Sequence, residues 1–392
     1  QTASLDAFTR PEILASDLSS LVLDLAQWGV GNPSSLAFLD PPPGPAWSEA
    51  KALLQELGAL DADGRITAEG KSLRALPLPP RLARMIVDAA REGAAEDAAM
   101  IAAVLTERGL GGDGIDLEAR LDQFRRDRSP RASTARTMAE RWAAQAEKAQ
   151  DAKAVSDGDL STGAILALAF PDRVARNRGN GSFVLANGRG ASAEQTSALA
   201  RAQYLAVGEL TGAAANSRIL LAAPIPQAEI EQRFAAEIES EDEITFDKAS
   251  LSLRGRRKRK LHAITLSEQT MQLAPNETTA RVLADGIADA GLARLPWSKA
   301  LQQWRDRVLF LRKAEGDAWP DLSDAALGES RSEWLEPLLH DKTALSQVSA
   351  SELSDAIMLL LPWDLRARLD REAPTHFEAP TGSQVAIDYE AE

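Results

Sequence analysis

The stretch from Ala46 to Pro80 limits what this chain can fold into more than any other. Trp47, Ala50, Leu53, Leu54 and Leu57 recur at three- and four-residue steps, so they share one face of a helix. Gly58 follows where a left-handed residue ends a helix. Leu60 and Ile66 flank Asp61-Ala62-Asp63-Gly64, a tight turn whose glycine can take positive φ. Thr67 is placed to cap a further short helix, which Pro77 and Pro79 stop. Helix, tight β-turn, short strand, helix and proline stop make the outline of a winged helix.

Upstream, Leu18, Leu21, Val22, Leu25 and Trp28 form the apolar stripe of a helix over about Asp17 to Trp28, ended by Gly29. Pro41-Pro42-Pro43-Gly44-Pro45 is a rigid bend. From Pro80 to Phe170 the pattern is helical, with Leu82, Met85, Ile86 and Ala89 on one face and Met100, Ile101, Val104 and Leu105 on another. Ser133 is read as the cap of a long helix carrying Met138, Trp142 and Ala146. Short loops between such helices predict a compact antiparallel bundle. After Pro171, short apolar runs alternate with turn chemistry at Asn187-Gly188 and Thr211-Gly212 as far as Leu266, which predicts a small barrel. Asn276 to about Leu369 is helical again, and Ser383 to Tyr389 reads as a strand.

The order "LGALDADGRITAEGKSLRALPLPPRLARMI" resembles the segment that follows the motor of DEAH-type helicases, in the form found in the bacterial HrpB subfamily. "RPEIL" with "DLSSLVLDLAQWGV", "FPDRVARNRGNGSFVLANGRGA", "YLAVGELTG" and "PTHFEAPTGSQVAIDY" extend the resemblance along nearly the whole chain. It implies an α+β multidomain fold, mainly helical. Residues 1–10 would be a remnant of the second RecA-like domain or a linker, 11–79 a winged helix and 80–162 a helical ratchet bundle. Residues 163–270 would form an OB-fold β-barrel and 271–374 a helical insertion into it. Residues 375–392 would return to the barrel as its final strand and tail.

The same resemblance implies a function. The chain would guide single-stranded nucleic acid, RNA or DNA, while absent RecA-like motor domains, its partners in cis, hydrolyse ATP with magnesium. The residues themselves hold no Gly-rich phosphate loop ending in Gly-Lys-Ser/Thr and no acidic quartet beside one, so no cofactor is expected in this chain. A contrasting reading is a non-enzymatic winged-helix scaffold that binds protein partners. The polar positions of the Trp47–Leu57 helix, Ser48, Glu49, Lys51, Gln55 and Glu56, are net acidic and would meet DNA phosphates badly. That helix is expected to pack on neighbouring domains.

Charge decides where a nucleic acid could bind. The chain has 392 residues, enough for two to four domains, and a net charge of −14. Strand binding must therefore rest on local patches. The foremost is Arg254-Gly255-Arg256-Arg257-Lys258-Arg259-Lys260, placed between two strands, whose crowded cations favour phosphate. Equal weight goes to a solvated hairpin paired with Glu237 to Glu243 just upstream. Arg173, Arg176, Arg178 and Arg189, around Gly179, Gly181, Gly188 and Gly190, form a second candidate on the barrel rim. Arg125, Arg126, Arg128 and Arg131 are diluted by Asp122 and Asp127 and read as ordinary surface. Trp28, Trp47, Trp142, Trp304, Trp334 and Trp363 sit among apolar residues at helical spacing and read as core. His262, His340 and His376 are scattered and the chain has no cysteine, so neither a metal site nor a disulfide is expected. Those features fit a reducing compartment such as the cytoplasm. No apolar run is long enough to span a membrane and no signal peptide opens the chain, whose lack of an initiating Met suggests a piece of a longer protein.

Overall fold

The computed structural model describes residues 11–148, 160–212, 217–380 and 382–389. The chain divides into two compact units: residues up to 239 with 260–266, and residues 240–259 with those from 267 onward.

The first unit opens with α1 (Ser19–Gln27) and α2 (Gly44–Glu56). The latter starts ahead of Trp47 because Pro45 fits the first helical turn, where its missing N–H costs nothing. Gly58 and Gly64 take φ of 66° and 80°, the left-handed conformation that the helix end and the turn demand. Leu60 and Ile66 form one antiparallel bridge across that turn. Thr67 caps α3 (Ala68–Ala75), its hydroxyl accepting from Gly70 N at 2.9 Å.

The bundle comprises α4 (Pro80–Arg91), α5 (Ala95–Thr106), α6 (Leu117–Arg126), α7 (Pro130–Lys148) and α8 (Thr162–Ala169). Ala98, Ala99, Ala102 and Ala103 of α5 are fully buried, and their short side chains let α4 and α7 pack closely on it. Asp116 and Ser161 cap α6 and α8.

Next come β1 (Val174–Gly179), β2 (Ser182–Leu185), β3 (Gly190–Ser192), β4 (Tyr204–Thr211) and β5 (Ser217–Pro224). They close into a barrel in the order β1-β2-β3-β5-β4, with β3 and β5 parallel and the other pairs antiparallel. Ala175, Phe183, Leu185, Leu205, Val207 and Ile219 fill its interior. Val174, Tyr204, Ala206, Leu221 and Ala223 belong instead to the core that contains the helices. Alternation along each strand thus gives the barrel a second apolar wall, against which α8 packs. A Cβ on Gly163 of α8 would lie 2.1 Å from the Pro224 carbonyl oxygen.

The barrel is smaller than the sequence reading of 163–270. After α9 (Gln227–Arg233), β6 (Ile238–Asp247), β7 (Ser252–Leu261) and β8 (Ile264–Met271) form a separate three-stranded sheet in that order. The reason is chemical: no residue of β6 is buried, and β7 carries cations at successive positions, which leaves no continuous apolar face to turn inward.

In the second unit, α10 (Glu277–Ala290), α11 (Lys299–Glu315), α12 (Asp324–Glu329), α13 (Arg331–Leu338), α14 (Ala350–Met358) and α15 (Trp363–Glu372) surround the buried Trp319 and Trp334. Phe246 of β6 fits over Gly286 of α10, where a Cβ would meet the ring at 2.2 Å. Leu253 N donates to Thr343 O at 2.8 Å and Leu345 N to Leu251 O at 2.9 Å, so the start of β7 is held to the α13–α14 connection. Sequence reading makes residues 375–392 the final strand and tail of the barrel. Among the described residues, β9 (His376–Glu378) and β10 (Gln384–Ala386) form a two-stranded antiparallel sheet with each other.

Trp47, Trp142 and Trp334 are buried, but Trp28 is 72% and Trp363 81% exposed. Both stand at a helix end, Trp28 as the C-cap of α1 and Trp363 as the first residue of α15, where the ring leaves the packed stripe.

Candidate nucleic-acid interface

The four arginines read as one rim patch are spread along the barrel. The β1–β2 turn runs through Gly179 (φ 97°), Asn180 (φ 53°) and Gly181 (φ 72°). Asn177 fixes it: its amide donates to Ala200 O at 2.9 Å and Ala202 O at 2.8 Å, and its Oδ1 accepts from Gly179 N at 2.7 Å. Arg178 is exposed at this end. Arg189 is exposed in the β2–β3 turn, where its backbone N–H donates to Asn187 Oδ1 at 3.1 Å. The intervening strand β2 puts the two turns at opposite ends, about 13 Å apart at 3.3 Å per residue. Neither side chain has an ion-pair partner among the described residues. Arg176 lies between them, half-buried, its backbone facing Val184 on one side and Tyr204 on the other.

Arg173 does a different job. Its Nη1 donates to Gly208 O at 2.8 Å, and its guanidinium sits 4.4 Å from the Phe170 ring centroid. Burial pushes it below its usual range; Asp172 opposes that, and the Arg81 and Arg189 charges add to it. Arg81, which sequence reading missed, reaches the same ring at 5.7 Å, pairs with Asp172 at 2.9 Å and donates to Ala169 O at 3.1 Å. Its signal was its place at the start of α4, straight after a proline stop. Arg81, Arg173 and Arg189 therefore make a positive corner of which Arg189 is the free member. The β7–β8 turn rests beside it: Ala263 N donates to Ala186 O at 3.0 Å, and His262 Nε2 lies 3.0 Å from Glu237 Oε2.

The basic run is a paired strand. Arg257 Nε and Nη2 donate to the two Asp242 oxygens at 2.6 and 2.8 Å. Lys258 pairs with Glu243 at 2.7 Å, Arg256 with Glu268 at 2.6 Å, and Arg254 with Asp247. Arg259 and Lys260 are engaged as well. These contacts pull the Asp242 carboxyl below its usual range and push Arg257 and Lys258 up, in each case chiefly through the hydrogen bond to the partner. The acidic residues upstream and the cations downstream thus neutralise each other across one hairpin.

In the bundle, Arg125 pairs with Asp97 at 2.8 Å and Arg131 with Glu107 at 3.2 Å, as ordinary surface residues do. A cleft of 580 Å³ in the first unit is lined by Arg108, Arg120 and Arg218 against Asp113, Glu194 and Glu209, a balanced charge set. Among the described residues no group of three His, Cys, Asp or Glu side chains could hold a metal, and no helix is long and apolar enough to cross a membrane.

Comparison with known proteins adds direct findings. A family model described as helicase associated domain (HA2), winged-helix, matches residues 52–78, and one described as ATP-dependent helicase C-terminal matches 334–392. The chain is 34% identical over 391 residues to the ATP-dependent RNA helicase HrpB of Escherichia coli (strain K12), covering 98% of this chain and 46% of that protein. The ATP-dependent RNA helicase HrpA of the same organism is 35% identical over 104 residues, 25% of this chain and 8% of HrpA. The crystal structure of the E. coli DExH-box NTPase HrpB matches with a TM-score of 0.56 at 34% identity, over 98% of this chain and 46% of that one. The chain spans less than half the length of these relatives.

Proposed function

We propose, for a chain that belongs to the HrpB-like DEAH helicases and matches their C-terminal region, that it guides single-stranded nucleic acid, RNA foremost, while RecA-like domains of the intact protein hydrolyse ATP with magnesium. The barrel is read as an OB-fold, the bundle as the ratchet that follows the winged helix, and the cytoplasm as the place of work. The observation that carries this reading is the pair Arg178 and Arg189, exposed and without ion-pair partners among the described residues, by the glycine turns at the two ends of β2. Cations so placed suit successive phosphates of an extended strand and ignore base identity. The cations of β7 take part only when their carboxylates let go.

The test is fluorescence anisotropy of a labelled single-stranded RNA with residues 1–392 at 50 and 200 mM salt. Binding should weaken steeply with salt, and the Arg178→Ala/Arg189→Ala double variant should bind less tightly with a shallower slope. Absence of binding, or binding indifferent to both salt and variant, would turn the assignment toward a protein-binding scaffold.

A further inference from the structure

Trp363 is the most exposed large aromatic side chain among the described residues, at 81%, and Leu359, four positions before it in sequence, is 76% exposed. Nothing in the roles given above uses either. The ring is nevertheless held by its surroundings. Pro362 fixes the entry to α15, and the Arg366 guanidinium, one helical turn on, lies 5.4 Å from the ring centroid. Arg366 is anchored in turn by a 3.1 Å hydrogen bond from Nη2 to Met358 O. That partner is a neutral carbonyl. Arg366 forms no ion pair among the described residues, and its buried Nε has no hydrogen-bond partner. On the same helix Arg368 and Arg371 are paired with Glu372 at 3.1 and 3.0 Å. One exposed carboxylate, Asp364, follows the ring directly.

We infer that Trp363 is a stacking platform for an unpaired base, with Arg366 supplying charge to the adjoining phosphate. This rests on the single-strand reading above and extends it to the second unit. Size and charge favour a base over a protein. Trp363 and Leu359 together offer a few hundred Å² at most, against roughly 1,600 Å² buried in a stable protein interface. Of the other large apolar side chains exposed in this unit, Phe377 and Val385 belong to β9 and β10, which follow the far end of α15, and Phe310 belongs to α11. Phe310 meets the Tyr389 ring edge-on, and the Tyr389 hydroxyl donates to Pro374 O just past the opposite end of α15. A largely exposed indole with a guanidinium over its ring, free of ion pairs among the described residues, matches a nucleotide's two recognition demands, π-surface and anion.

The experiment uses the full chain and a twelve-nucleotide RNA with 2-aminopurine at successive positions. With wild type, emission at one position should be quenched by stacking. Trp363→Ala should abolish that quench and weaken binding about tenfold with an unchanged salt slope, whereas Trp363→Phe should retain most of the affinity. Arg366→Ala should lower the salt slope by about 0.7, the release of one counterion. Unaltered affinity and quench in Trp363→Ala, whose melting temperature must equal wild type, would overturn the platform and leave the rim site standing. Failure of wild type to bind the RNA at all would overturn both. If Trp363→Ala instead lost only association with a protein, the platform would also fall.

Discussion

Arg257 holds Asp242 by two parallel hydrogen bonds, 2.6 and 2.8 Å long, between neighbouring strands of one hairpin. A guanidinium so engaged is spoken for, and phosphate must compete with a carboxylate of ideal geometry. Removing the competitor should therefore help binding. The Asp242→Asn/Glu243→Gln double variant is predicted to bind single strands several-fold more tightly, with a salt slope steeper by about 1.4 for the two cations released. Equal affinity and slope would exclude β7 from strand contact.

The arginines near the barrel should separate into two classes. Arg189→Ala is predicted to weaken strand binding and to leave the melting temperature alone. Arg173→Ala removes the bond to Gly208 O and the contact over Phe170, and should cost about 1–3 kcal/mol of stability by chemical denaturation.

Two helical glycines with opposite surroundings give a paired test. Alanine at Gly163 would drive a Cβ to 2.1 Å from a barrel carbonyl, so Gly163→Ala should destabilise by about 1–3 kcal/mol despite its better helix propensity. Gly328 in α12 has open space, and Gly328→Ala should stabilise by a few tenths to about 1 kcal/mol. Matching denaturation midpoints for the two variants would contradict the packing of α8 on β5.

Acid should loosen the second unit through Glu352. Its carboxylate accepts from Ser349 N at 2.8 Å and from the Ser349 hydroxyl at 2.7 Å, and pairs with the buried Lys342 at 2.9 Å, which together lower its pKa from 4.5 to about 2. A folded value below the unfolded one means the stabilisation is fully present above pH 4.5 and is lost as pH falls toward 2. Glu352→Gln should lower the denaturation midpoint at pH 7 and narrow its gap to wild type at pH 3. A constant gap across that range would refute the link.

How much of this was legible depends on whether local chemistry or long-range pairing set each feature. Gly58, Gly64 and Thr67 act within a few residues of themselves, so the helix-turn-helix outline could be read directly. Strand partners cannot be read that way. The hairpin reading that paired the basic run with Glu237 to Glu243 is met at Arg257 with Asp242 and Lys258 with Glu243, but spacing alone did not separate β6 to β8 from the barrel strands before them. The 383–389 strand was visible, but its partner was a three-residue segment just upstream. Spacing put Trp28 and Trp363 on apolar stripes, since periodicity does not mark where a helix stops being covered. Arg81 and Arg173 come together only because α4, α8 and β1 meet, 92 positions of sequence notwithstanding.

One continuous interior runs from Leu18 and Trp47 through Ala99 to Ala206 and Leu221 on the barrel's outer wall. Close-packed side chains yield very little under load. A change of side-chain volume near α1 would therefore be felt by neighbours along that interior. Exchanging the barrel for that of a relative would cut through the interior, and would have to carry α4, α5 and α8 with it.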